Sequence, residues 1–380
     1  MIYLDNSATT FPKPKNVYDS INYALKVYGA NSGRGSYNMA IKTSEKIYET
    51  RKKVAEFFGC KNVENVVFTY NCTMSLNMAI KGLAYKGGHF VISDLEHNAV
   101  VRPLEKLKSQ GLCDYSVAKV EKNDIDTIKN FSNEIRNNTV AVICTGASNV
   151  FGIIPPFKAI AQVAHDYGKL FILDAAQISG ILPISIEDNC IDILCCSGHK
   201  GLYGVTGTGV MIVNEKINLN TIIEGGTGSN SSSKIQPKIT PDRFESGTPN
   251  VQGIIALKSG IEFINNVSIK RIFEHETEIL NYLKKSLRNI NKVNVYCDKE
   301  DGWDNLAPVL SFNIDDIHSE EVAKQLSQNS IAVRAGLHCA PLAHNKMNTL
   351  DSGTVRISPS FFTKKNDVDF LIKCVRKIAK

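Results

Sequence analysis

The sequence has 380 residues, 43% of them hydrophobic and 22% charged, which is the composition of an ordinary globular protein with enough length for two or three domains and a large core. Its 44 basic and 38 acidic residues leave only +6, spread along the chain, so no nucleic-acid partner is expected and clusters such as Arg51-Lys52-Lys53 read as solvated helix faces. No run approaches the roughly 18 apolar residues of a membrane span, and the start Met1-Ile2-Tyr3-Leu4-Asp5 lacks the basic and apolar regions of a signal peptide, so no membrane partner and a cytoplasmic location are expected.

In chain order, the first dozen residues, with Pro12 and Pro14, read as an extended arm. Residues 66–69 form a β-rich run followed by a helical pattern from 73 to about 85. A second strand at 90–92 precedes a helix at 97–108, and a third at 140–144 precedes a helix through 160–164. The runs at 170–173 and 191–194 are short and apolar on both faces. Such alternation predicts an α/β fold, a mostly parallel sheet with helices on both faces. Ligands in such sheets bind at the carboxyl ends of the strands. Residues 225–233 are polar and glycine-rich, a surface loop. A long helical region then covers about 251–290, a strand falls at 309–314, and an amphipathic tail runs over 368–378. The expected division is an arm (1–15), a large domain (16–250) and a smaller α+β domain (251–380).

The ten cysteines do not suggest a disulfide framework. Cys144, Cys195 and Cys196 sit in apolar runs and Cys374 in a helical pattern, the setting of reduced, buried thiols. With no CxxC pair, no metal site is expected.

The chemistry gathers at predicted strand ends. Lys200, in Ser197-Gly198-His199-Lys200, is placed to bond a carbonyl carbon, although alone it is more simply a turn lysine at the surface. Asp174 follows the run at 170–173. It is either a solvated cap or, in a pyridoxal site, the carboxylate that keeps the ring nitrogen protonated. Gln177 is within reach of a ring hydroxyl. Asn71-Cys72-Thr73 stands between a strand and a helix, where free amides and the helix dipole favour an anion; Thr73 serves equally as a plain helix cap. Ser197 and His199 can add donors there. His97, after the strand at 90–92, can stack on an aromatic ring or be an ordinary surface residue.

Read together, an ordered set of segments carries a resemblance. Leu4-Asp5-Asn6-Ser7-Ala8-Thr9-Thr10, Asn71-Cys72-Thr73, Glu96-His97-Asn98, Ser148-Asn149-Val150-Phe151-Gly152, Asp174-Ala175-Ala176-Gln177, Ser197-Gly198-His199-Lys200, Glu245-Ser246-Gly247-Thr248-Pro249 and Arg334-Ala335-Gly336-Leu337-His338-Cys339-Ala340 resemble, over nearly the whole chain, the class V aminotransferase superfamily and within it the cysteine desulfurase and selenocysteine lyase group. The resemblance implies the fold type I architecture of pyridoxal 5'-phosphate transferases. It implies that Lys200 holds the cofactor covalently, Asp174 meets the pyridine nitrogen, Gln177 the ring hydroxyl, and His97 stacks on the ring. By the same resemblance Cys72, Thr73, Ser197 and His199 bind phosphate, and Thr248 reaches the phosphate of a neighbouring subunit in a homodimer. Asn149 binds at both cofactor and substrate. Arg356, in Thr354-Val355-Arg356, holds the substrate carboxylate as a bidentate fork, with Ala8 and Arg334 also on the substrate side.

Cys339 distinguishes branches of this superfamily. Between Gly336, Pro341 and Gly353 it lies in a loop expected to move. In a desulfurase its thiolate takes the substrate sulfur as a persulfide and alanine leaves, with His338 expected to favour the thiolate or pass a proton. The sulfur would go to an acceptor protein in iron–sulfur cluster or thio-cofactor assembly. Competing expectations are a selenocysteine lyase, a class V aminotransferase or lyase that does not use the thiol, and a non-catalytic binding protein. The missing dinucleotide glycine pattern argues against a nucleotide-binding version of the last. Two departures from the resemblance stand out: Arg34-Gly35-Ser36-Tyr37 has Tyr37 where a histidine is usual, and 225–241 is unusually rich in Ser and Asn.

Overall fold

The computed structural model describes residues 1–33, 35–297 and 300–380. Strand β1 (Ile2–Tyr3) is followed by helices α1 (Lys15–Val27) and α2 (Asn38–Phe57). Then β2 (Val66–Thr69), α3 (Cys72–Leu83), β3 (Gly88–Ser93), α4 (Asn98–Ser109), β4 (Cys113–Ala118), α5 (Asp124–Glu134), β5 (Thr139–Thr145), α6 (Phe157–Asp166) and β6 (Leu170–Asp174) alternate. β7 (Ile193–Ser197) and β8 (Gly209–Val213) follow. The C-terminal part contains α7 (Val251–Val267), α8 (Ile269–Arg288), β9 (Val293–Tyr296), β10 (Leu310–Ile314) and α9 (Ser319–Gln328). It ends with β11 (Ile331–Ala332), β12 (Arg334–Gly336), α10 (Pro341–Lys346), β13 (Thr354–Ile357) and α11 (Lys365–Ile378).

Seven strands form one sheet in the order β2-β8-β7-β6-β5-β3-β4. Pairs among β3 to β7 are parallel, and β8 runs against both of its neighbours. β2, β3, β5, β6 and β7 therefore point the same way. β2, β3, β7 and β8 are buried at every position because helices cover both faces, which is why these strands lack polar alternation. Successive side chains still part to opposite faces. Val91 joins the core shared with α6 and α7, while Phe90 and Ile92 pack with α3 and α4. The predicted fold class is observed.

A second, antiparallel sheet has the order β12-β13-β10-β9. Apolar residues of α8, α9 and α11, with Leu4 from the arm, close its core. The arm attaches here through β1, which pairs with β11. The helical region expected over about 251–290 is made of two helices, which part at Ser268 (φ 80°), whose N–H ends α7 on Ile264 O and whose hydroxyl caps α8 at Arg271 N. Residue 251 opens α7, and α7 contributes Ile254, Leu257 and Ile261 to the core of the seven-stranded sheet. Among the described residues no helix is long and apolar enough to cross a membrane, and no group of three metal-ligating side chains is found.

Candidate active site

The carboxyl ends of the co-directional strands surround a cavity of about 110 Å³. Of the residues singled out in the sequence, Cys72, Thr73, His97, Asn149, Asp174, Gln177, Ser197, His199 and Lys200 line it. Ala8, Thr248, Arg334, Cys339 and Arg356 lie outside its lining.

Asp174 ends β6 and is buried, paired in register with Cys195 of β7. Its Oδ1 accepts from Ala176 N–H at 2.9 Å and from the Cys72 thiol at 3.3 Å. Cys72, expected at a phosphate, thus directs its side chain to Asp174. Its backbone N–H and that of Thr73 open α3, where amides have no partner inside the helix, while Asn71 caps Met74 N at 2.9 Å.

Lys200 lies in a turn after β7, closed by Gly198 N–H on Thr208 O, Tyr203 N–H on Lys200 O and Gly204 N–H on Gly198 O. The turn packs so closely on the chain before it that a Cβ at Gly201 would collide with the Ser179 carbonyl. Burial pushes the Lys200 amine below its ordinary pKa, and the Asp174 charge pulls it partly back. His199 is held neutral, its pKa lowered to about 4 by burial and by Lys200 and Lys13. Its Nδ1 is buried without a partner.

His97 caps α4, its Nδ1 accepting from Ala99 N–H at 3.0 Å, which places the ring hydrogen on Nε2. Burial lowers its pKa to about 4, against the pull of Asp174. Its neighbour Glu96, given no role by the sequence, is fully enclosed and accepts from Ser93 Oγ and Thr145 N–H. Burial pushes the Glu96 carboxyl up to about 8.

The arm roofs this region. Thr10 Oγ1 donates to Lys200 O at 2.8 Å, Lys13 Nζ to His199 O at 2.8 Å, and Gln177 Nε2 to Ser7 O at 3.1 Å. Ala8 lies in this stretch, its N–H on Asp5 O. Arg356 is buried: Nη2 binds Asp5 Oδ1 at 2.6 Å, Nη1 donates to Asn149 O at 2.9 Å, and Nε has no partner. Part of the expected fork is therefore engaged by the chain itself. Nothing local in the sequence marks Asp5 as the partner of so distant a residue. Arg334 is exposed and sits opposite Arg356 across β12 and β13.

Among the described residues Cys339 is the only exposed cysteine. His338 and Cys339 both have positive φ, 47° and 59°, uncommon for residues with a Cβ. Asn149 Nδ2 holds His338 O at 2.8 Å and Asn98 N–H holds Cys339 O at 2.7 Å. The loop expected to move is thus tied on one side to Asn149 of the cavity wall and on the other to the start of α4. His338 does not serve the thiol as expected: it is buried, pushed down to about 2 by burial and by Arg356, and donates Nε2–H to Thr354 O at 3.0 Å. Thr248 lines a separate cleft with Tyr70 and Phe244 and accepts from Asn31 Nδ2 at 3.2 Å. Arg34 lies outside the described residues; Tyr37 occupies the position before α2 without a side-chain capping bond and is exposed.

A mostly parallel seven-stranded sheet with a lysine and a carboxylate at adjacent strand ends, joined to a smaller α+β unit, defines an α/β enzyme of fold type I. The sequence matches the family profile described as Aminotransferase class-V over residues 2–371, and the chain belongs to that family. A probable cysteine desulfurase of Methanothermobacter thermautotrophicus is 31% identical, with 100% of this chain and 94% of the relative aligned. One from Borreliella burgdorferi is 30% identical, covering 100% of this chain and 92% of the relative. The apo structure of a cysteine desulfurase from Thermococcus onnurineus NA1 superposes with a TM-score of 0.91 at 29% identity, covering 100% of this chain and 94% of that one.

Proposed function

We propose that the protein is a pyridoxal-phosphate-dependent cysteine desulfurase that converts L-cysteine to L-alanine and carries the sulfur as a persulfide on Cys339. One observation carries this reading. Lys200, its amine depressed by burial, shares a cavity with buried Asp174, and the wall of that cavity anchors the loop that exposes Cys339. The desulfurases among its relatives agree with it.

The residues fit the cofactor. The first amides of α3, Thr73 and the unpartnered His199 Nδ1 offer donors for a phosphate. Asp174 Oδ2, free of the contacts on Oδ1, can accept from the ring nitrogen. His97, neutral and with Nδ1 spent on its helix, offers a flat face and an Nε2–H. When bound, pyridoxal phosphate supplies the electron sink for bond changes at the amino acid. Lys200 would hold it, and once released from it Nζ, whose hold on a proton is weakened by burial, is placed to take and return the substrate α-proton. Asn149 and Arg356 would orient the substrate carboxylate, with Arg356 Nε still available.

At Cys339, Sγ bonds to the substrate sulfur as that sulfur parts from its carbon. The electron pair stays with the carbon, which takes a proton. One cysteine and one protein thiol give one alanine and one persulfide, so no outside oxidant is needed. His338, with its one N–H on Thr354, supplies no proton to this exchange. The separation of Thr248 from the Lys200 cavity supports a homodimer in which Thr248 serves the other copy, and the exposure of Cys339 supports transfer to an acceptor protein.

The test is incubation of the cofactor-loaded protein with L-cysteine and an excess of a dithiol reductant, which regenerates the Cys339 thiol and releases the persulfide sulfur as sulfide, measuring alanine and sulfide together, with L-selenocysteine as a second arm. Equal alanine and sulfide is expected. A protein that cannot be loaded, or that makes no alanine from cysteine, overturns the reading; alanine from selenocysteine alone reassigns it to the lyase.

A further inference from the structure

The first residue of α3 does two separate things. Its amide belongs to the helix N-terminus, while its thiol reaches across to the end of β6, 3.3 Å from Asp174 Oδ1. Cys72 is 6% exposed and Asp174 4%, so water does not compete for this contact. Burial and the adjacent carboxylate push the thiol pKa well above its ordinary value, so the sulfur keeps its hydrogen and acts as a donor.

Asp174 Oδ1 already accepts from Ala176 N–H at 2.9 Å. A carboxylate held by one bond can turn about it. A second donor on the same oxygen, from a different element, removes that freedom and leaves Oδ2 as the oxygen offered to a ligand in the cavity that Asp174 lines.

We propose that Cys72 is a positioning residue for Asp174: its S–H fixes Oδ1 so that Oδ2 meets the ring nitrogen of the cofactor, and its side chain takes no part in holding the phosphate. The inference rests on the pyridoxal-phosphate reading given above. It assigns the two ends of the cofactor to different atoms of one residue, the phosphate to the Cys72 amide and the ring to the Cys72 sulfur.

Wild type, Cys72→Ala and Cys72→Ser are loaded with pyridoxal phosphate and, separately, with pyridoxal, which lacks the phosphate. Two quantities are read: the pH midpoint of the visible absorption of the bound cofactor, and the ratio of the two affinities. Without the thiol, Asp174 loses a donor that stabilises its charge and holds nearby protons more tightly. In Cys72→Ala the midpoint should therefore rise by about half a pH unit or more, with the affinity ratio unchanged within about twofold. Cys72→Ser, which keeps a donor, should return the midpoint toward wild type. Cys72→Val, also without a donor, replaces the alanine variant should that fail to fold. A ratio that falls about tenfold at an unchanged midpoint overturns the inference in favour of a phosphate contact. A lowered melting temperature with both quantities unchanged overturns it in favour of packing. Wild-type protein that takes up neither compound overturns the cofactor reading along with it.

Discussion

Arg356 and Asp5 meet at 2.6 Å although 351 positions separate them in the chain. The guanidinium is 2% exposed, and Arg334 faces it from the neighbouring strand. Like charges directly opposite in an antiparallel pair are unfavourable. Asp5 offsets this while fixing one edge of the guanidinium, and the Asn149 carbonyl on Nη1 keeps the plane in place.

Removing Asp5 should therefore strand a buried charge. We expect Asp5→Ala to lose about 3 kcal/mol of stability, the lower end for a broken buried pair because Asp5 retains some exposure. Urea unfolding measures it. An unfolding midpoint equal to that of wild type would show that Arg356 finds another counter-ion.

The thiol exchange gives a second expectation. Cys339→Ser should load pyridoxal phosphate with the wild-type visible spectrum, because Cys339 does not line the cavity. It should nevertheless release alanine from cysteine at least about a hundredfold more slowly, a lower bound on the loss when a catalytic nucleophile is removed. Wild-type turnover in this variant would contradict a persulfide on Cys339.

Asn98 allows the anchoring of the sulfur-bearing loop to be tested through one hydrogen bond. It is the first residue of α4, a position where proline is well accepted. The residue before it, His97, has φ −71° and ψ 154°, which suits a following proline. Asn98→Pro should thus delete little besides the donor to Cys339 O. Amide exchange at 337–340 should accelerate, with a stability loss of about 1 kcal/mol. Exchange rates that match wild type there would mean the Asn149 contact alone holds the loop.

Glu276 on α8 provides a pH expectation. It is buried, hydrogen-bonded to Tyr203, and burial pushes its carboxyl up to about 8 from an ordinary 4.5. Between those values the unfolded chain has released a proton that the folded state keeps. The stability it contributes is complete below about 4.5 and lost as pH rises through about 8. Glu276→Gln, which does not titrate, should lose less stability than wild type from about pH 6 to about pH 9. Glu96 adds a slope of the same sign to both proteins, and the buried lysines an opposing one, so the difference between variant and wild type isolates Glu276. Parallel melting-temperature curves would rule this out.

The parts legible in the sequence share a physical cause. β3, β5, β6 and β7 are covered on both faces, so they read as unbroken apolar runs, and Asp174 and Lys200 stand at their ends. β4 is an edge strand whose middle residues, Asp114 to Val117, are only partly buried, so its polar composition hid it. β8 is fully buried, but the glycines around the lysine turn run into it and masked its start. No Gly or Pro marks the break at Ser268, where a serine takes positive φ. Cys72 stood in the right place for an anion, yet only the packing of α3 on β6 shows where its sulfur goes. His338 is next to Cys339 in sequence, but the left-handed turn the two share sends its ring to Thr354.

The arm imposes an order of assembly. The strands of the seven-stranded sheet all lie before residue 214, and α7, which completes its core, follows directly, so the sheet can pair while the chain is still being made. Asp5 and Asn6 must wait for Arg356 and Ser358, and contacts between such distant positions form late. The segment that covers Lys200 and ties down Gln177 is then among the last to settle, and an unfinished chain carries Lys200 without a roof.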